Sequence, residues 1–119
     1  MITGIVRGDT IILEADIASD ITDWKIRFEL TDDHGNCIKL GTTNVTGGSD
    51  DQIEITSITA NKSTFLIKIP SGKTDCFADK AEIEIQVTTL NIVNNAPEIC
   101  TVFKGDVDFN KQIITWETL

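Results

Sequence analysis

Few side chains in this sequence could do chemistry. His34 is the only histidine among 119 residues. Nucleophilic catalysis needs a nucleophile, a base within hydrogen-bond reach and a third group that orients the base. His34 stands in the run Asp32-Asp33-His34-Gly35-Asn36, which reads as a hairpin turn. A turn histidine is solvated, and no Gly-x-Ser-x-Gly elbow accompanies it. The expected catalytic set is therefore none, and the chain reads as a non-enzyme.

Paired carboxylates can bind calcium or work as acid and base. Asp32-Asp33, Asp50-Asp51 and Asp106-Val-Asp108 are the candidates, and none fits an EF-hand loop. Asp106 and Asp108 share strand parity, which puts both on one face. Solvated acids are the expectation at all three. Cys37, Cys76 and Cys100 are far apart, with no Cys-x-x-Cys pair. Structural zinc takes four Cys or His ligands, which here would have to converge from distant strands. The expectation is buried, reduced thiols in a reducing compartment, with no metal and no cofactor. Gly47-Gly48 leads into Ser49-Asp50-Asp51 and then a strand. A phosphate cradle opens a helix instead, and those acids repel phosphate, so this is a flexible loop. Arg7-Gly8-Asp9 spells the integrin tripeptide, but the structural reading is a turn feeding a strand. Asn44-Val-Thr46 and Asn61-Lys-Ser63 are glycosylation sequons that carry no weight without a secretory signal.

The elements that must hold these groups follow a period of two. Trp24, Ile26, Phe28 and Leu30 alternate with Lys25, Arg27, Glu29 and Thr31. Ile83, Ile85 and Val87 alternate with Glu82, Glu84 and Gln86. Each is a half-buried strand with one wet face. Phe65, Ile67 and Ile69 alternate with Leu66 and Lys68, which suggests a second covered face at Leu66. Ile11 with Leu13 and Ile53 with Ile55 mark two more strands. Further strands are expected around Cys37–Leu40, Ile99–Phe103 and Gln112–Trp116. Turn chemistry separates these runs: Pro70-Ser71-Gly72 closes the Phe65 strand, and Asn94-Asn95-Ala96-Pro97 precedes the Ile99 strand. The one helical feature expected is a single turn from Thr74 to Phe77, capped by Thr74.

About eight short strands at this spacing predict one domain, 1–119, as an antiparallel β-sandwich, with a closed β-barrel as the alternative. Its inner faces would carry Trp24, Phe28, Ile67, Ile83, Ile85 and Phe103, with Trp116 also packed inward. The composition is globular, with 40% apolar and 24% charged residues. The formal charge of -9 repels phosphate backbones and anionic headgroups, so neither nucleic acid nor membrane is an expected partner. The first residues lack a signal-peptide pattern and no apolar run spans a bilayer, which points to synthesis in the cytoplasm.

Several of these segments also resemble a known family. Arg7-Gly8-Asp9-Thr10 with its following apolar alternation resembles the start of small β-sandwich proteins of phage and prophage tail operons. Similar matches are Ile21–Phe28, the acidic turn Asp32–Gly35, Phe65–Ile69 before the Thr74 loop, Ala81–Gln86, and Thr101–Asp106. The resemblance implies an immunoglobulin-like sandwich of about 7–9 strands, similar to the N-terminal domain of phage upper baseplate proteins. It implies a structural role in a tail, baseplate or virion, through a protein partner or self-association, with no catalytic residue carried over. Baseplate proteins of that kind continue into long helical or receptor-binding regions, which this sequence lacks. A sandwich that binds carbohydrate or calcium through its acidic turns is the alternative expectation.

Overall fold

The computed structural model describes residues 2–22, 24–41, 53–90 and 97–118. The strands are β1 (Ile2–Thr3), β2 (Ile11–Ile17), β3 (Lys25–Asp32), β4 (Cys37–Gly41), β5 (Ile53–Ile58), β6 (Ser63–Ile69), β7 (Lys80–Leu90), β8 (Pro97–Asp108) and β9 (Ile113–Thr118). β-Branched and aromatic residues alternating with polar ones produce them, because such side chains pack well on a half-buried pleat.

The strands form two antiparallel sheets and no closed barrel. The larger has the order β1-β9-β8-β7-β3-β4, the smaller β2-β6-β5. Taken in chain order, β2 to β8 occupy the places B, C, C′, D, E, F and G of an immunoglobulin-type sandwich. B-E-D makes one layer and C′-C-F-G the other. Two features depart from that layout. β9 and then β1 extend the G side of the larger sheet. No described strand takes the A position beside β2, whose only strand partner is β6.

The two inner faces merge into one apolar cluster. Phe28, Ile67, Ile83, Ile85 and Phe103 are all buried there, as the alternation requires. Trp24 is different: it lies just before β3 and is only half-buried, packed against the rim of the core. Its place goes to Ile21, which is 1% exposed and sits on the turn leading to that strand. Trp116 is also half-buried. Its ring stands 5.5 Å from that of Phe103, and it pairs across the sheet with Gly105. A Cβ at Gly105 would fall 2.5 Å from the Trp116 Cβ and 2.5 Å from the Thr115 carbonyl oxygen, so glycine is what lets β9 lie flat here. Leu66 is half-buried on the outer face of the smaller sheet, without a second layer over it among the described residues.

Three further expectations change. Residues 71–76 form successive turns rather than a helical one: Asp75 N–H donates to the Gly72 carbonyl and Phe77 N–H to the Thr74 carbonyl. Ile55 is 37% exposed although Ile53 is buried: it pairs in register with the buried Phe65, but on the edge strand β5 and just before a bulge between Ile55 and Ser57. The strand expected at Ile99–Phe103 is twelve residues long. It carries a bulge opposite Ile85 and Gln86, where the register jumps from Phe103 to Thr101. The Gly47–Asp51 loop, the Asn44 sequon and Asn94-Asn95-Ala96 lie outside the described residues. Among the described residues no helix is long and apolar enough to cross a membrane.

Candidate functional site

The chemistry-bearing residues gather at three places: one loop end, the outer face of the larger sheet, and the sheet edges. At the loop end meet residues 4–10, the 33–36 hairpin, residues 70–79 and the 109–112 turn. Asp32 ties two of them. Its carboxylate accepts from His34 N–H (3.0 Å), Asn36 N–H (2.8 Å), Asn36 Nδ2 (2.8 Å) and Ala78 N–H (2.9 Å). Desolvation alone would raise its pKa, but these four donors together hold it down at about 2. Asn36 Nδ2 also reaches the Cys76 carbonyl at 2.9 Å. Asp32 is thus a structural brace, with its oxygens already engaged by the chain itself.

The Arg7-Gly8-Asp9 turn forms as expected, with Asp9 N–H donating to the Val6 carbonyl. It is pinned rather than displayed. Arg7 pairs with Asp79 at 2.6 Å and lies 5.4 Å over the Phe109 ring. Gly8 N–H donates to Thr74 Oγ1 (2.8 Å), and the Gly8 carbonyl accepts from Gly72 N–H (2.8 Å). Thr74 is fully buried, so its hydroxyl serves Gly8 and caps no helix. Gly8 has φ +86°, a left-handed conformation suited to glycine, and a Cβ there would run into the Asp75 carboxylate.

His34 is exposed, with Nε2 3.6 Å from Asp33. No described nucleophile bonds to it. All three cysteines are exposed, contrary to the buried thiols expected from residue type. Cys37 shares parity with Lys39 on β4, whose Ile38 and Leu40 face the core. Burial of the sulfur and the nearby Glu29 charge raise the Cys37 thiol pKa, so it stays protonated at neutral pH. Parity was the signal for Cys37. Cys100 pairs across the sheet with the buried Val87 and is exposed all the same.

The outer face of the larger sheet carries a shallow acidic hollow of about 380 Å³, lined chiefly by Glu29, Glu82, Glu84, Lys104 and Asp106. Direct cross-strand neighbours include the like-charged pairs Glu29 with Glu84 and Glu82 with Asp106, an arrangement that costs stability. The Glu84 carboxylate is oriented by Thr101 Oγ1 (2.8 Å) and Gln86 Nε2 (2.9 Å). Those bonds, with Lys104, lower its pKa. Asp108 shares this face with Asp106, as parity implies, and accepts from Lys111 N–H at 3.0 Å. Among the described residues no three Asp, Glu, His or Cys side chains are grouped to hold a metal ion. The hollow was not singled out from sequence, because its acids come from three strands whose order alternation does not reveal.

The edges form the third place. β1 and β4 bound the larger sheet, β2 and β5 the smaller. Each offers backbone N–H and C=O groups on one side. Compared with known proteins, the chain matches no family model, no curated protein and no solved structure.

Proposed function

We propose that this chain is a non-catalytic structural and interaction module of a phage or prophage particle, associated with the tail or baseplate. It is made in the host cytoplasm and enters the assembly through a protein partner or through copies of itself. The observation that carries this reading is the immunoglobulin-type sandwich whose edge strands have, among the described residues, no partner on their outer side. Sheets of that kind recruit extended segments by main-chain hydrogen bonding at an edge, with side-chain alternation supplying selectivity. The acidic charge speaks against nucleic acid and anionic lipid as the partner. The loop end supports the same reading from the other side: Arg7, Asp32, Asn36, Thr74 and Asp79 are engaged in bracing the chain.

The test is light scattering behind a size-exclusion column over a wide concentration range, with and without purified tail and baseplate components of the source phage. A defined ring or a stoichiometric complex is expected. A strict monomer that binds none of those components would overturn the proposal.

A further inference from the structure

The four sheet edges are not equally guarded. β1 is two residues long. β4 has five residues with the exposed Lys39 at its centre. β5 is broken by a bulge. Short strands, lysine and bulges are the usual protections against edge pairing. β2 has none of these three, and its charged side chains are the acids Glu14 and Asp16. It runs seven residues as Ile-Ile-Leu-Glu-Ala-Asp-Ile, in unbroken register with β6, without proline, lysine or arginine. Its far side has no described strand partner, and Ile12 on its outer face is 58% exposed. This is the place that strand A fills in the immunoglobulin layout. The larger sheet has six strands to the smaller sheet's three, so by that layout β9 and β1 reach past β2. Their Ile2 and Trp116 are only half-buried.

Charge decides what fits. The outward side chains after Ile12 are Glu14 and Asp16, both exposed. Asp16 is already engaged within the chain: it accepts from Thr64 Oγ1 at 2.7 Å and lies 3.5 Å from Lys62 Nζ. Glu14 is the carboxylate that faces the edge. A second copy pairing along the whole strand would be centred on Glu14. That register sets Glu14 against Glu14 and Ile12 against Asp16, between two chains of charge -9. The acids thus guard the edge against self-pairing while leaving it open to cations.

We infer that β2 is the acceptor edge for an extended segment of another protein, which adds as the missing strand A. The segment alternates apolar residues with Lys or Arg. Its apolar side continues the layer of Ile11, Leu13 and Ala15. Its outer side sets a cation against Glu14, next to the Lys62–Asp16 pair. This inference rests on the interaction-module reading above and names the edge and the partner chemistry.

Three synthetic peptides long enough to span β2 test it by fluorescence polarisation: alternating Val-Lys, Val-Ser and Val-Glu. The full chain should bind Val-Lys best and Val-Glu least. Ile12→Lys should weaken Val-Lys binding about tenfold, since it sets a like charge against the peptide's outward lysines and removes the apolar surface their stems would lie on. Glu14→Lys with Asp16→Lys should reverse the preference towards Val-Glu. These positions are exposed, so the melting temperature of each variant checks that the fold is kept. Equal binding of the three peptides would overturn the inference. So would Val-Lys binding that ignores all these substitutions, because the peptide would then be seated elsewhere, as on the acidic hollow of the larger sheet. A concentration-dependent dimer that Ile12→Lys dissolves would also overturn it, with the second copy as the occupant. If tail components bind and Ile12→Lys leaves that binding unchanged, the module reading stands and this inference falls.

Discussion

The loop end and the β2 edge make opposite use of the same backbone groups. At the loop end, Gly8, Gly72, Ala78 and Asn36 each send an N–H to a partner within the chain. Along the free side of β2, the ladder groups have no described strand to meet. A buried or half-buried polar group without a partner costs free energy, whereas a solvated one costs little until something displaces the water. The loop end is therefore architecture, and the edge is capacity for a partner. Stability should be sensitive to substitution at the first and indifferent at the second.

The contrast can be broken most sharply at Thr74. Thr74→Val keeps the shape and removes the hydroxyl that receives Gly8 N–H. The expected loss is about 1–3 kcal/mol in chemical denaturation; a loss below about 0.5 kcal/mol would show that the bond is not bracing this end. Next comes Gly8→Ala, which combines a left-handed φ with a Cβ directed at the Asp75 carboxylate. It should cost about 1–2 kcal/mol. Because Gly8 and Thr74 are bonded to each other, the double variant should lose less than the sum of the two.

Asp32 sharpens the comparison through pH. Its folded pKa is about 2 against an ordinary 3.8. A depressed carboxylate contributes stability above its unfolded pKa and loses it as pH falls through the folded one. The melting temperature should therefore drop between about pH 4 and pH 2. Asp32→Asn should be less stable at pH 7 and should flatten that limb of the profile. An unchanged acid limb in the variant would assign the drop to other carboxylates. The smallest effect is expected at the edge: Ile12→Thr, at a position 58% exposed, should move stability by no more than about 0.5 kcal/mol. A larger loss would mean that β2 is covered in the free protein.

Period-two alternation carried most of the fold. In β3 and β7 the apolar positions Ile26, Phe28, Leu30, Ile83, Ile85 and Val87 are all buried. The acidic glycine turn makes the β3–β4 hairpin, with Gly35 at φ 87°. Alternation is a local signal, however, and it does not say which strand ends up at a sheet edge. Ile55 keeps the parity of Ile53 and pairs with the buried Phe65, yet stands 37% exposed on the edge strand β5, which alternation along the chain does not reveal. Residue type misled at Cys37, Cys76 and Cys100, since free cysteine is usually buried. The candidate site was barely legible. Glu29, Glu84 and Lys104 become neighbours only through sheet order, and nothing along the chain announces that β2 has no described strand on its far side.

The pairing of β7 with β8 has a mechanical meaning. The two strands are matched along eleven rungs, from Lys80 with Asp108 to Leu90 with Pro97, and β3 adds eight more on the other side of β7. A pull directed along these strands loads the rungs together in shear, so they resist as a set. β1 holds to β9 by two rungs, at Ile2 and Thr3, and gives way to the same pull almost at once. In anything under tension, the chain would carry force through its central three strands and shed its first strand early.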